Sequence, residues 1–284
     1  MFSKVPVLIK SRYSSFTKSE RKIADYILEN PEDALKMTIS ELANACKVSE
    51  ATVVRFVKKL NLSSFQELKL SLASGSHFLS KKLQDMDIII DPSDSPEEIL
   101  MKVKKGAIHA IENTAALTNK DNFLKAAHFI RSAKRIEIFG VGSSAAVARI
   151  LQYKLTRLGF PAYSIDDPHM QAISAATMKP GDLVIGVSQS GSTKDIVDAV
   201  TIAKQHQASV ICITEHANSP LARKSDVVIE TFSGENPIRT SAGRSILAQI
   251  FAIEILSAFL YLLEPDLAVK AGEETAKAVV NKLY

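Results

Sequence analysis

The sequence contains few of the residues that build metal sites, disulfide frameworks or redox centres. Its two cysteines, Cys46 and Cys212, stand far apart, and none of its six histidines lies at a metal-ligand spacing from a neighbour. Both cysteines occur within apolar patterns, so we interpret them as small buried side chains. We therefore expect no metal, no cofactor and no disulfide, as suits a reducing cytoplasm.

Long apolar runs are scarce as well. The most apolar stretch, residues 246–263, is interrupted by Gln249 and Glu254, whereas a membrane span needs about 18 apolar residues. The first twelve residues contain scattered lysines and no continuous apolar core of the kind found in a secretory signal. These absences predict a cytoplasmic protein with no membrane partner.

Charge is present in ordinary amount but is unevenly placed. The 284 residues are 46% hydrophobic and 23% charged, which is typical of a globular chain, and the length suggests two domains. Residues 1–82 contain 14 lysines and arginines against 8 acidic residues, and residues 83–284 contain 21 against 23. The excess of positive charge in the first part indicates a polyanionic partner for that part only.

Two short β-branched runs, at residues 135–139 and 183–187, each end in a loop rich in glycine and serine that opens a helical pattern. Such loops place backbone N–H groups at a helix N-terminus, where a phosphate is stabilised. Neither loop has the lysine of a Walker A motif, and Gly140-Val-Gly142 lacks the third glycine of a dinucleotide fingerprint.

Hydroxyl groups are the donors that these two loops offer, and Gln189 adds an amide. The hydroxyls belong to Ser143, Ser144, Ser188, Ser190, Ser192 and Thr193. A neutral site with several donors suits a sugar phosphate. The alternative is that these residues only cap helices and turns.

The segment Ser188-Gln-Ser-Gly-Ser-Thr193 resembles the Ser-Gln-Ser-Gly-x-Thr loop of SIS (sugar isomerase) domains, and Gly142-Ser-Ser144 resembles the loop of their first βα turn. The resemblance extends over residues 122–263. The resemblance implies a phosphosugar site formed by Ser144, Ser188, Gln189, Ser190 and Thr193. We add the neighbouring hydroxyl of Ser143 to this expected binding set.

The loop after the second strand contains Asp166, Asp167 and His169. SIS isomerases are similar in placing an acidic residue and a histidine there. We predict that Asp167 and His169 bind sugar hydroxyls. The alternatives are that they solvate a loop or act as catalytic acid and base, and we expect no catalytic residue.

Residues 37–60 form the pattern of a helix, a turn and a second helix, preceded by a helix that Thr17 and Glu20 open as a capping box. The expected buried positions are Leu42, Ala43, Val48, Val53 and Phe56. Lys47 occupies the turn position where glycine is usual, which requires a positive φ or a longer turn.

The outer face of the second helix carries side chains that suit base edges and phosphates in a major groove, and Ser49 caps it. We predict DNA contacts by Ser49, Glu50, Thr52, Arg55, Lys58 and Lys59. The alternative is a helical protein-interaction module with a solvated basic face.

Residues 16–73, including Lys59-Leu-Asn-Leu-Ser-Ser-Phe-Gln-Glu-Leu-Lys69, resemble the N-terminal helix-turn-helix of RpiR-type transcription regulators. Those proteins carry a C-terminal SIS domain in the same order, and a MurR-like subgroup is one option within them. The resemblance implies a homodimer or homotetramer that binds a duplex DNA operator and a phosphorylated sugar.

The expected fold class is α/β, with an N-terminal all-α helix-turn-helix domain at residues 1–75, a linker at 76–95 and a doubly wound parallel-sheet SIS domain with flanking helices at 96–284. A short strand or helical turn is expected at 86–90. The helix that opens at Ser95 should pack on the SIS body or on a partner through a stripe formed by Ile99, Val103, Ala107, Ala110 and Ile111.

The sequence thus predicts a DNA-binding transcription regulator, not an enzyme, whose affinity for its operator is controlled by a phosphorylated sugar. The alternatives are a phosphosugar isomerase with an accessory helical module and a sugar-phosphate-sensing interaction protein. The identity of the sugar, the operator and the direction of regulation stay open.

Overall fold

In a computed structural model the chain is described over residues 4–73, 90–235 and 243–280 and at Lys282. These residues form two compact units. The first comprises the described residues up to Leu117 together with Gly234 and Glu235, and the second comprises Thr118–Ser233 and the described residues from Gly243 onward. The predicted element at 86–90 and most of the predicted linker lie outside the described residues.

In the described residues of the first unit, the regular elements are all helices. They are α1 (Lys4–Arg12), α2 (Lys18–Glu29), α3 (Pro31–Lys36), α4 (Ile39–Ala45), α5 (Glu50–Lys59), α6 (Phe65–Ala73) and α7 (Pro96–Leu117). The core between them contains Phe16, Ile23, Leu42 and Phe56, each at most 3% exposed.

Side-chain caps define where three of these helices begin. Thr17 and Glu20 form the predicted capping box of α2, with Thr17 N donating to Glu20 Oε2 at 2.8 Å. Thr38 forms a second box at α4, and Ser49 caps α5 by accepting from Thr52 N at 3.3 Å. The helix-turn-helix is therefore specified largely by local hydrogen bonds.

Helix α1 was not predicted, and it packs into the first unit. Val5, Leu8 and Ile9 are at most 3% exposed. Arg12, at the end of α1, donates to the carbonyl oxygen of Lys59 at 2.7 Å. A guanidinium at the last turn of α5 satisfies a carbonyl that the helix itself leaves open and favours the negative end of the helix dipole.

Helix α7 forms as predicted but belongs to the first unit, whereas we had expected it in the second. Its buried side contains Gly106, His109, Ala110, Thr114 and Leu117. Ile99, Val103 and Ile111 of the predicted stripe are exposed in the single chain. The small residues at 106 and 110 allow close packing, which turns the helix so that its bulkier apolar residues point outward.

The second unit is the predicted doubly wound sheet. Its strands are β1 (Ile136–Phe139), β2 (Ala162–Ile165), β3 (Leu183–Val187), β4 (Ser209–Thr214) and β5 (Val227–Glu230). They are all parallel and lie in the order β2-β1-β3-β4-β5. Strand β3 is buried along its whole length, because helices cover both faces of the sheet.

The helices of this unit are α8 (Lys120–Ser132), α9 (Ser143–Arg157), α10 (Pro168–Ala175), α11 (Lys194–Gln205), α12 (Gly243–Leu263) and α13 (Pro265–Val280). Residues of α8, α9 and α12 pack in one core layer with the sheet, and residues of α11 pack in the other. Cys212 lies in the second layer, where burial raises the pKa of its thiol to about 12. Both cysteines are free and buried, as predicted.

Helix α12 is long and apolar enough to span a membrane by length and composition alone, although we had expected no such segment. Gln249 and Glu254 are too few polar residues to bring the mean hydropathy of the helix below that of a membrane span. A third of its most apolar stretch is buried, and Ala252, Ile253 and Leu256 belong to the core layer on the sheet. This packing accounts for the apolar residues of the buried side of α12, whereas Leu247, Tyr261 and Leu262 are exposed in the single chain.

Candidate functional site

The carboxyl ends of the five strands share one edge of the sheet. From β1 the chain winds to β2 on one side, and it then returns to β3 on the other side of β1. In doubly wound sheets ligands bind at this change of direction, beyond the ends of the strands. The two serine-rich loops follow β1 and β3 and therefore flank that point.

The first loop leads from β1 into α9. Gly142 is the N-cap residue, with φ 60° and ψ −129°, and it makes no side-chain cap. Ser143 is exposed, and Ser144 is 9% exposed. Both hydroxyls belong to the first turn of α9, where the helix dipole is positive.

The second loop leads from β3 into α11 and folds tightly on itself. Ser188 Oγ lies 3.2 Å from Thr193 Oγ1 and accepts from Gly191 N at 3.1 Å. Gly191 has a φ of +59°, and a Cβ there would lie 2.1 Å from Ser219 Oγ, so glycine alone fits. Ser190, the next predicted ligand, is exposed at this loop.

The helices of this edge begin in two different ways. Asn119 caps α8 by accepting from Asp121 N at 3.0 Å, and Asp167 caps α10 by accepting from Met170 N at 2.8 Å. Neither Gly142 at α9 nor Thr193 at α11 makes a side-chain cap. At the two predicted phosphate loops, therefore, no side chain of the N-cap residue caps the helix, although Ser188 and Ser190 accept hydrogen bonds within the turn of the second loop.

Gln189 is held by a buried carboxylate that sequence reasoning missed. Its Nε2 donates to Glu215 Oε2 at 3.2 Å, and Glu215, 6% exposed, also accepts from Ser233 Oγ at 2.9 Å. With Nε2 held in this way, Oε1 is the Gln189 atom that suits a sugar hydroxyl donor. The signal in the sequence was a charged residue directly after the apolar strand β4, which neighbours β3.

The acidic loop after β2 lies at the same edge, beside the β1 loop. Asp166 pairs with Arg149, and Asp167 caps α10. His169 is exposed. Gln171 is fully buried. It joins α10 to the ends of β1 and β2 by donating to Gly140 O at 3.1 Å and to Ile165 O at 2.7 Å. Asp166 and Asp167 thus have structural partners of their own.

In the first unit, the turn before α5 has the geometry that its sequence required. Lys47 adopts a φ of 52°, the positive value that we had considered. Val48 N donates to Ala43 O at 2.9 Å, and Lys47 N donates to Asn44 O at 3.0 Å. These two bonds form a Schellman motif, which ends α4 without glycine.

The core positions of the helix-turn-helix agree with the prediction. Leu42, Ala43, Val53 and Phe56 are at most 2% exposed, and Val48 is half-buried. Phe56 packs on Phe16, with ring centroids 5.1 Å apart.

The predicted DNA-contact residues occupy different sides of α5. Arg55 and Lys58 are exposed, and Arg55 Nη2 donates to Thr52 Oγ1 at 3.3 Å. Thr52 is 8% exposed and bonds to Ser49, so it does not lie on the outer face where we had placed it. Glu50 is exposed at the start of the helix and accepts from Ser40 of α4.

Lys59 points toward α2. Its Nζ lies 2.8 Å from Glu20 Oε2, and the Glu20 side chain is 6% exposed. Burial raises the pKa of Glu20, but hydrogen bonds from Lys59 and Thr17 outweigh it, so the pKa lies below its ordinary value. Lys59 therefore has a structural partner as well as its predicted role on DNA.

Comparison with known proteins decides the family. A family model of the rpiR-family helix-turn-helix domain matches residues 4–77, and a model of the SIS domain matches residues 129–258. A helix-turn-helix transcriptional regulator of Caldanaerobacter subterraneus subsp. tengcongensis, itself uncharacterised, is 38% identical over 252 residues, which cover 89% of this chain and 88% of that protein. The chain belongs to the RpiR family. It is a helix-turn-helix transcriptional regulator with an SIS domain.

Two solved structures resemble it. The NanR protein of Vibrio vulnificus, solved in complex with ManNAc-6P, is 29% identical and has a TM-score of 0.63 over 98% of this chain and 99% of that one. The sugar isomerase domain of an RpiR transcription factor from Sphaerobacter thermophilus is 25% identical, with a TM-score of 0.59 over 63% of this chain and 99% of that one.

Proposed function

We propose that this RpiR-family regulator binds a specific duplex DNA operator through α5 and that a phosphorylated sugar at the carboxyl edge of the SIS sheet controls its DNA affinity. The observation that supports the sugar phosphate best is the pair of helix starts at the change of strand direction. Helices α9 and α11 both begin there without a side-chain cap, among serine and threonine hydroxyls. An anion at this place gains from two helix dipoles and from backbone N–H donors.

In our proposal, Ser143, Ser144, Ser188, Ser190 and Thr193 bind the phosphate end of the ligand. Gln189 accepts from a sugar hydroxyl, with its amide oriented by Glu215. Asp167 and His169, at the neighbouring loop, contact the far end of the sugar. The solved complex of NanR with ManNAc-6P supports a phosphosugar as the ligand class.

We infer that the site binds without turnover. Proton transfer between sugar carbons needs a base within reach of the substrate. Asp166 and Asp167, the acidic residues of the loop after β2, already serve an ion pair and a helix cap, and the Glu215 carboxylate accepts from Gln189 and Ser233. Incubation of the protein with each sugar phosphate that it binds, followed by NMR, should show no isomerised product. Isomer formation that His169→Ala abolishes would establish the isomerase alternative instead.

Control of DNA affinity follows from linkage. If the sugar phosphate binds one arrangement of the subunits more tightly, it shifts the population toward that arrangement by its difference in affinity. Paired recognition helices bind half-sites that lie about one helical turn apart, so a change in their spacing changes operator affinity. We propose a homodimer or homotetramer as the assembly that carries out this shift.

The ligand proposal is tested by thermal unfolding of the full chain with a panel of sugar phosphates and their unphosphorylated parents. A ligand that binds the folded state raises the unfolding midpoint. We expect at least one phosphorylated sugar to do so in the wild type and in Ser132→Ala, and to lose most of its effect in Ser190→Ala. Ser132 is a matched control because its hydroxyl bonds to backbone within α8, away from the loops.

Equal stabilisation by the unphosphorylated parents, or an unchanged response of Ser190→Ala, would contradict the assigned site.

The DNA proposal is tested separately with Arg55→Ala. It should weaken binding to an operator selected in vitro by about fivefold or more, since a bidentate arginine–base contact is worth about 1–3 kcal/mol. The sugar-phosphate response should remain.

A further inference from the structure

Helix α5 presents an apolar pair on its exposed face. Val54 is 42% exposed, whereas Val53, Phe56 and Val57 are at most 2% exposed. Ala51, one turn earlier, is also exposed. The positions 51, 54, 55 and 58 follow helical spacing, so Ala51 and Val54 share one face with Arg55 and Lys58.

Neither the fold of the unit nor helix formation explains a valine at this position. Its side chain is not needed in the core, which the opposite side of α5 fills. Valine is also a weaker helix former than alanine or a charged residue, because its branched side chain loses χ1 freedom. A single exposed valine is unremarkable on a surface, but this one lies on the face that our proposed function puts against DNA.

The charges around the pair favour a nucleic acid as the occupant. Arg55 and Lys58 are exposed on one side of Val54, Glu50 is exposed on the other, and Lys47 is exposed in the preceding turn, so positive charge is in excess. A polyanion complements this surface. Within a major groove, the apolar group that a small aliphatic side chain contacts is the C5-methyl of thymine. Residues near the start of a recognition helix are the ones that reach base edges.

We propose that Val54, with Ala51 beside it, contacts a thymine methyl group in the major groove and so determines a base preference of this regulator. The inference depends on the proposed function, since it requires α5 to enter the groove. In this proposal Val54 determines which base is preferred, and Arg55 and Lys58 provide the electrostatic attraction to any DNA.

The test uses the full-length protein and a duplex that it selects from a randomised pool. Each thymine is replaced in turn by uracil, which removes only the methyl group. We expect uracil at one position in each half-site to weaken wild-type binding about fourfold, the effect of one buried methyl group. In Val54→Ala the same replacement should have little further effect, and the salt dependence should equal that of the wild type, because no phosphate contact is lost.

Val103→Ala is the matched control, since Val103 is a 55% exposed valine on α7 of the same unit. It should keep the full uracil effect. The proposal is overturned if no uracil weakens the wild type, or if Val54→Ala is as sensitive as the wild type at every position. A pool from which no duplex is enriched would overturn the DNA-binding proposal itself, and this one with it.

Discussion

The helix starts at the ends of β1 and β3 in the second unit differ from three capped helix starts of the first unit, and the difference follows what each start does. In the first unit, α2, α4 and α5 begin with Thr17, Thr38 and Ser49, whose side chains satisfy the first N–H groups. In the second unit, α9 and α11 begin at the ends of β1 and β3 without such a cap. A capped start adds stability to the fold, and an uncapped start at a strand end leaves N–H groups for a ligand.

The largest expected effect comes from filling the tightest loop at an uncapped start. Gly191→Ala places a methyl group 2.1 Å from Ser219 Oγ at a φ of +59°. Strain and overpacking should together destabilise the second unit by about 2–4 kcal/mol, measured by urea unfolding, and the sugar-phosphate response should disappear.

Gly272→Ala is the control for that change. Gly272 lies inside α13, and a Cβ there meets no atom within 4 Å. We expect a gain of about 0.5–1 kcal/mol, because alanine is the better helix residue. Equal losses in both variants would show that the Gly191 loop has no special constraint.

The next effect compares two threonines at N-cap positions. Thr17→Ala should destabilise the first unit by about 1 kcal/mol, because Glu20 N loses its acceptor. Thr193→Ala should cost less without ligand, since its side chain makes no cap, but should reduce stabilisation by the sugar phosphate. Urea unfolding with and without the ligand measures both effects. If the sugar phosphate stabilises Thr193→Ala as much as the wild type, the uncapped start of α11 does not serve the ligand.

Acid should weaken the first unit through Glu20. The pKa of Glu20 is lower in the folded chain than its ordinary value of 4.5. Its contribution is therefore complete at pH values above about 4.5 and is lost as the pH falls through the lower, folded-state value. Urea unfolding should be measured from about pH 6 to about pH 3, the range in which a carboxylate titrates. Over this range the free energy of unfolding should fall less in Glu20→Gln than in the wild type. Identical declines would remove Glu20 as the cause.

The smallest effect concerns the turn before α5. Lys47→Gly should stabilise the first unit by up to about 1 kcal/mol, because glycine adopts the observed φ of 52° without strain. Gln207→Gly, at a φ of 62° in the second unit, should behave alike. A loss of stability in Lys47→Gly would mean that the lysine side chain contributes more than the strain costs.

Features specified by local chemistry were predictable from the sequence. The capping box of Thr17 and Glu20, the positive φ of Lys47 and the order of strands and helices from residue 120 onward each depend on neighbours in the chain. The serine-rich loops were recognisable for the same reason, because a strand end, a glycine and a helix start follow one another directly.

Features that depend on contacts between distant residues were not predictable. Gln189 follows β3 and Glu215 follows the neighbouring strand β4, so their hydrogen bond forms only when the two strands pair in the observed register. Thr52 was placed outward because a threonine hydroxyl suits either water or a neighbour, and here it bonds to Ser49. The exposure of Val54 depends on which side of α5 packs on α2 and α4, which only the assembled unit determines.

The most direct test of the central claim is the affinity of the full chain for its selected operator, measured by fluorescence anisotropy with and without the sugar phosphate that raises its unfolding midpoint. We expect the ligand to change the dissociation constant about fivefold or more in the wild type, the scale of a typical allosteric coupling, and in Ser132→Ala, but not in Ser190→Ala. An operator affinity that the bound sugar phosphate leaves unchanged would contradict it.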